Sequence, residues 1–167
     1  MIVKLKKLND SAVLPKKVHN DDFCYDVTAT SIEEIRPNVF KYGIGWAAQI
    51  GRNNEQIGNV GYMRDNKISL PYIDFEKSPI LISIDARPRS SINKTGLILA
   101  NSIGTIDEQY TGEIFIVFYK VLDGEIYKVG DRIAQIKLGF TLPMNFIQVD
   151  ELSQTVRGDG GFGHTGK

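Results

Sequence analysis

Seven short runs, most of them rich in Ile and Val and separated by turn signals, constrain this 167-residue chain more than any other feature. They are Ile2–Leu8, Ile44–Ile50, Ile80–Ile84, Leu97–Ile103, Glu113–Tyr119, Arg132–Leu138 and Phe146–Val149. Ile2–Leu8 alternates apolar and basic residues as an edge strand would, and the others carry the β-branched side chains that fit a pleated surface. Pro37-Asn38, Pro71, Pro88, Gly104, Asp123-Gly124, Gly130-Asp131 and Pro143 punctuate them. The only helix signal is the capping-box-like start Ser31-Ile-Glu-Glu-Ile35, cut off by Pro37. Strands without intervening helices favour an all-β sandwich or jelly roll over any βαβ arrangement. The polar, turn-rich stretch 51–79 reads as an inserted hairpin or long loop.

Hydrophobic residues make up 42% of the chain and charged residues 24%, with a formal net charge of +0. That balance supports one folded domain with a sizeable core and gives no basic field for a nucleic-acid polymer. No apolar run reaches membrane-spanning length, and Met1-Ile2-Val3-Lys4 does not start a signal peptide. The single cysteine, Cys24, excludes an internal disulfide and fits a reducing cytoplasm. With only His19, His164 and Cys24 available, a Cys/His zinc site is nearly impossible. A metal would be a hard, oxygen-bound cation such as magnesium.

Residues 157–167 hold five of the sixteen glycines, set around Arg157, Phe162, His164 and Thr165. Such a tail is too costly to order as helix or strand, and it has no apolar stripe for a core. It does hold a guanidinium for phosphate, a ring to stack on a base and free backbone N–H groups. Between Gly104 and Gly112 lie seven residues that include Asp107 and Tyr110, more than a simple hairpin turn needs. Apolar runs flank them, so the segment reads as a hairpin with a functional tip, with Asn101 close by. Pro88-Arg89-Ser90-Ser91 offers a cation and hydroxyl donors to a phosphate. Gln135, in the apolar run after Gly130-Asp131-Arg132, needs a polar partner. Asp26, after Tyr25, is one more isolated carboxylate.

In this order and spacing, five segments resemble the trimeric deoxyuridine triphosphate nucleotidohydrolases, the dUTPases. Tyr25-Asp-Val-Thr-Ala29 looks like the first motif and Pro88-Arg-Ser90 the second. Asn101–Glu113, with Gly-x-Ile-Asp-x-x-Tyr-x-Gly-Glu inside it, looks like the third, Gly130–Gln135 the fourth and Arg157–Gly166 the fifth. The resemblance implies a jelly-roll homotrimer, with a β domain over 1–156 and a flexible nucleotide-covering arm over 157–167. It also implies hydrolysis of dUTP to dUMP and pyrophosphate with Mg2+, at sites shared between subunits. On that carry-over Asp107 activates the attacking water, and Asp26 helps hold magnesium through metal-bound water. Arg89, Ser90, Ser91, Gln135 and Arg157 take the triphosphate. Asn101 and the backbone of Gly104, Thr105 and Ile106 read uracil, Tyr110 packs on the deoxyribose, and Phe162, Gly163, His164 and Thr165 close over the nucleotide.

The sequence departs from the family pattern in places. Phe23-Cys24 stands where small residues are usual, Ser91 replaces a usual glycine, His164 replaces a usual serine, and the stretch 51–79 is an unassigned insertion open to a protein partner. The nearest rival is a deoxycytidine triphosphate deaminase of the same fold, against which the Ile-Asp-Glu-Gln-Tyr110 turn and the Phe-bearing tail argue. A nucleotide-responsive regulatory protein that has lost turnover is opposed by intact Asp107, Gln135 and Arg157. A Walker-type loop is excluded because the tail lacks Gly-Lys-Ser/Thr and a following helix.

Overall fold

The computed structural model describes residues 2–51, 80–101, 103–156 and 158–159. Within them the chain folds into nine strands: β1 (Ile2–Lys7), β2 (Tyr25–Thr28), β3 (Ser31–Arg36), β4 (Val39–Gly51), β5 (Leu81–Pro88), β6 (Leu97–Leu99), β7 (Gly104–Asp107), β8 (Glu113–Lys120) and β9 (Arg132–Thr141). A short 3-10 helix spans Ser90–Lys94. One sheet runs β1-β4-β8-β6, with β3 also paired to β4; the other runs β2-β9-β5-β7. Every pairing is antiparallel. The two sheets enclose one core, which is the jelly-roll-like sandwich that the strand pattern predicts.

Alternation explains the packing. In β5, Ile82, Ile84 and Ala86 are buried, while Ser83, Asp85 and Arg87 between them are half-buried on the other face. Strand β8 sends Ile114, Ile116 and Phe118 inward in the same way. Phe118, Tyr42 and Tyr127 meet edge-on or tilted at 5.6–6.3 Å between ring centroids, and the Tyr42 hydroxyl donates to the Tyr127 carbonyl at 3.1 Å. Burying a ring such as Phe118 contributes roughly 2–3 kcal/mol.

Strand β4 pairs with β1, β3 and β8, and its register against β8 changes part-way along. Val39–Gly43 pair with Tyr119–Phe115, then the ladder slips before Ala47 meets Glu113. Gly45, at φ +71°, forms this irregularity in a conformation that disfavours a side chain. The Glu113 carboxylate lies where a side chain on Gly43 would stand and accepts from the Gly45 N–H at 3.0 Å. It thereby ties the start of β8 to β4.

Ser31–Ile35 does not begin a helix. It lies in β3, which forms a hairpin with β4 around Pro37-Asn38, where Asn38 takes φ 62°. The capping-box side chains are used across that hairpin instead. Ser31 Oγ accepts from the Gly43 N–H, Glu34 Oε1 accepts from the Asn38 N–H, and Lys41 pairs with Glu33. Pairing with a buried neighbour outweighs a local propensity worth a few tenths of a kcal/mol per residue.

Two other expectations are corrected. Phe146–Val149 is no strand and lies exposed. Leu97–Ile103 is not continuous, because β6 pairs with β8 in the first sheet and β7 with β5 in the second. The Leu97 and Glu113 runs do pair antiparallel, as β6 with β8, but the chain between them crosses to the second sheet as β7, so the Asp107 turn itself links two sheets. Crossing suits the core, since Ile106 and Ile114 then pack into it from opposite layers. The stretch 52–79 lies outside the described residues.

Candidate active site

The Asp107 turn is built by short-range contacts. The Tyr110 N–H donates to the Asp107 carbonyl at 3.0 Å, and the Tyr110 hydroxyl donates to the Glu113 carbonyl at 2.8 Å. The Tyr110 ring lies over Gly112, where a Cβ would sit 2.5 Å from the phenol oxygen. Asn101 covers buried Gly104 similarly, its side-chain nitrogen 3.2 Å from where a Cβ would be. These residues, with Thr105 and Glu113, line a cleft of about 230 Å³. A second cleft of about 330 Å³, lined by Ser83, Asp85 and Thr141 among others, shares Thr105 and Asp107 with the first.

Asp107 thus sits on the rim between two openings. Its carboxylate is exposed and makes no hydrogen bond or ion pair to another described residue. A carboxylate in a turn ordinarily bonds its own backbone; this one is left available. The Ile106 side chain packs against the core, so only its backbone can face a ligand.

A second constellation forms where β2, β9 and the end of β5 meet. Cross-strand register aligns Asp26, Gln135 and Arg87 in one row. Asp26 Oδ1 accepts from Arg89 Nε and Asp26 Oδ2 from Arg132 Nη1, each at 3.0 Å. Arg89 also donates to Ser91 Oγ at 3.2 Å and to the Arg132 carbonyl at 3.4 Å. The Gln135 amide donates to the Pro88 carbonyl at 3.0 Å, so its polar partner is backbone. Ser90 is exposed at the start of the 3-10 helix. One carboxylate thus aligns two guanidiniums whose remaining N–H donors could take phosphate oxygens.

The metal expectation narrows. Both Asp26 oxygens are committed to guanidinium, and among the described residues no three His, Cys, Asp or Glu side chains converge as a metal site. These residues do not fit a direct ligand set for magnesium.

The two constellations do not meet within one chain. Asp107 pairs with Ser83, whereas Gln135, the neighbour of Asp26, pairs with Arg87. Four residues along β5 and three strand spacings separate them, roughly 20 Å. Arg157, Phe162, Gly163, His164 and Thr165 lie outside the described residues.

Arg132, Glu113 and Arg87 carry no role on sequence pattern alone, although the first two stand inside the five motif segments. Arg87 could have been found from its spacing, since it shares the outward parity of Ser83 and Asp85. Phe23, expected near Asp26 as a departure, is 81% exposed and lies beside Lys137, whose Nζ is 6.0 Å from the ring centroid.

A two-sheet antiparallel sandwich carrying a carboxylate turn and a guanidinium pair defines the structural class. A family model described as dUTPase matches residues 80–166. A deoxyuridine 5'-triphosphate nucleotidohydrolase of Gloeothece citriformis is 32% identical over 170 aligned positions, covering 99% of this chain and 97% of that one. One of Helicobacter pylori is 28% identical over the same shares. The chain belongs to the dUTPase family. Among solved structures, Staphylococcus bacteriophage 80alpha dUTPase with dUpNHpp superimposes with a TM-score of 0.70 at 20% identity, covering 99% of each chain. A mutant dUTPase from phage phi11, solved with a structural Mg(II) ion, gives 0.63 at 16% identity over 92% of this chain and 100% of that one. At those identities the structures confirm the fold alone. Among the described residues no helix is long and apolar enough to cross a membrane.

Proposed function

We propose that this chain hydrolyses dUTP to dUMP and pyrophosphate, limiting uracil entry into DNA and supplying dUMP for thymidylate synthesis. The observation that carries the reading is Asp107, a carboxylate with no partner among the described residues, on the rim of the Asn101–Tyr110 cleft in a chain of this family. Asp107 would orient and deprotonate the water that attacks the α-phosphorus. Asn101 and the backbone from Gly104 to Ile106 would pair with the polar edge of uracil. Cytosine, with an amino donor where uracil has a carbonyl, would leave those groups unpaired. Tyr110, anchored through its hydroxyl, would present its ring to the deoxyribose.

Arg89, with Arg132 held beside it by Asp26, would receive the triphosphate, and Ser90, Ser91 and Gln135 would complete that clamp. In this reading magnesium arrives as the counter-ion of the triphosphate. On the same reading Asp107 of one copy works with the clamp of another, since a gap of roughly 20 Å is too wide for one α-phosphorus to touch both within a chain. This supports the homotrimer with shared sites. So does the exposed apolar strap after β9, where Met144, Phe146, Ile147 and Leu152 find little cover in their own chain. Residues 1–156 would form the β domain and 157–167 the arm, with Arg157 clamping the far phosphate and Phe162 stacking on uracil.

The test is pyrophosphate release from dUTP, dTTP, dCTP and UTP with magnesium present. Only dUTP should be turned over efficiently. Loss of the exocyclic amine from dCTP, or comparable rates on all four, would overturn the assignment.

A further inference from the structure

Pairing between β4 and β8 is interrupted at one point. Gly43 faces Phe115 and Ala47 faces Glu113, so Ile44, Gly45 and Trp46 have a single β8 residue, Ile114, opposite them. The Gly45 N–H takes its acceptor from a side chain instead, Glu113 Oε1 at 3.0 Å. Two glycines allow this. Gly45 takes φ +71°, and its carbonyl accepts from the Leu8 N–H at 2.9 Å. Gly43 leaves the space, since a Cβ there would stand 2.5 Å from the same Glu113 oxygen and 2.6 Å from Ser31 Oγ. Gly45 is buried, and a buried backbone donor is costly to leave unpaired, so the carboxylate is held firmly to β4.

The backbone of Glu113 faces the other way, toward the candidate site. Its carbonyl accepts from the Tyr110 hydroxyl at 2.8 Å, and the Tyr110 N–H donates to the Asp107 carbonyl at 3.0 Å. Tyr110 is 44% exposed, so its ring is fixed less by packing than by that hydroxyl contact. Three hydrogen bonds thus run in series from β4 to the Asp107 turn, and Glu113 joins the first to the second.

We propose that Glu113 is a positioning residue that sets the preference for a deoxyribose over a ribose. Anchored to Gly45, its carbonyl holds the phenol oxygen, and the Tyr110 ring is kept against the sugar with no room for a 2′-hydroxyl. Release of the carboxylate lets the start of β8 shift, and the ring moves with the carbonyl to which it is tied. Glu113 acts through Tyr110 rather than on the nucleotide. The inference rests on the reading in which Tyr110 presents its ring to the deoxyribose.

Steady-state hydrolysis of dUTP and UTP by the full chain, with magnesium present, tests it in the parent, Glu113→Ala, Glu113→Gln and Gly43→Ala. Glu113→Ala should lower the ratio of kcat/KM for dUTP over UTP about tenfold, the size of one hydrogen bond to a charged group. The loss on dUTP should fall on KM more than on kcat. Glu113→Gln keeps an acceptor oxygen and should retain most of the ratio. Gly43→Ala keeps Glu113 but fills the place of its carboxylate, so the ratio should drop as in Glu113→Ala; if Glu113→Ala does not fold, Gly43→Ala decides. In a Tyr110→Phe background, where the hydroxyl contact is already gone, Glu113→Ala should change the ratio little further. A lower melting temperature with the parent's ratio intact would show a merely structural role and overturn the proposal. So would an equal drop with and without the Tyr110 hydroxyl. Calorimetric titration of the parent with the non-hydrolysable α,β-imido analogue of dUTP separates the two levels: no binding overturns the functional assignment, and this proposal with it.

Discussion

Asp26 can be read as a metal residue or as the organiser of two arginines, and Asp26→Asn separates the two. The side chain is 12% exposed and receives Arg89 and Arg132 at 3.0 Å each, those partners being 23% and 43% exposed. A hydrogen bond to a charged group that is mostly out of water contributes about 2 kcal/mol, which suits the Arg89 contact. The Arg132 contact is more exposed and is worth about 0.5 kcal/mol. Asparagine keeps the shape but removes the charge, leaving two guanidiniums close together without a counter-charge. The expected loss is about 2–3 kcal/mol of stability, or roughly 5–10 °C in Tm for a chain of this size. With Arg89 no longer aimed, dUTP should bind about tenfold more weakly, the equivalent of about 1.4 kcal/mol. The deciding assay is dUTP hydrolysis as a function of magnesium concentration. If Asp26 works by aiming arginines, the variant's magnesium dependence should match the parent's and excess metal should restore nothing. Recovery of parent activity at high magnesium would refute this argument and return Asp26 to the metal.

Further outcomes are expected. Asp107→Asn should bind the α,β-imido analogue like the parent while its turnover falls at least about a hundredfold, as loss of a general base requires; parent-rate hydrolysis would remove the water-activating role. Gly45→Ala should lose about 2–4 kcal/mol in denaturant unfolding, because the new methyl meets positive φ and would stand 2.7 Å from Ala12 Cβ and 3.0 Å from Thr30 Cγ2. An unchanged midpoint would show that β4 can shed its irregularity. Burial, the neighbouring Tyr127 and Asp131 push the Tyr42 phenol up to about 12 from its ordinary value near 10. The folded state therefore holds that proton more tightly than the unfolded chain. Its contribution should be complete below pH 10 and lost between pH 10 and 12. Tyr42→Phe should flatten that alkaline limb of the stability profile.

Alternation along Leu81–Pro88 and Glu113–Lys120 was legible because period-2 burial needs only the side chains themselves. The candidate residues were also visible as types at spacings: a carboxylate and a ring between glycines, a guanidinium beside serines, a glutamine among aliphatics. Local reading failed where a residue's partner lies far along the chain. Ser31 and Glu34 carry the signature of a helix start, yet their side chains bond to Gly43 and Asn38 across a hairpin. Tyr127 gave no signal as a loop aromatic, since its ring contacts with Tyr42 and Phe118 exist only once distant parts of the chain pack together. Arg132 shows no role in the sequence because Asp26, its partner, lies 106 positions away.

The order of residues alone settled the class of fold and the chemical kinds present, since strand length, turn chemistry and side-chain pKa types are local properties. Tertiary structure decided their grouping. It sent Asp107 to one corner of a sheet and the guanidinium pair to another, and it spent both Asp26 oxygens on arginine. Distance and hydrogen-bond saturation belong to the packed chain, and no spacing along the sequence encodes them.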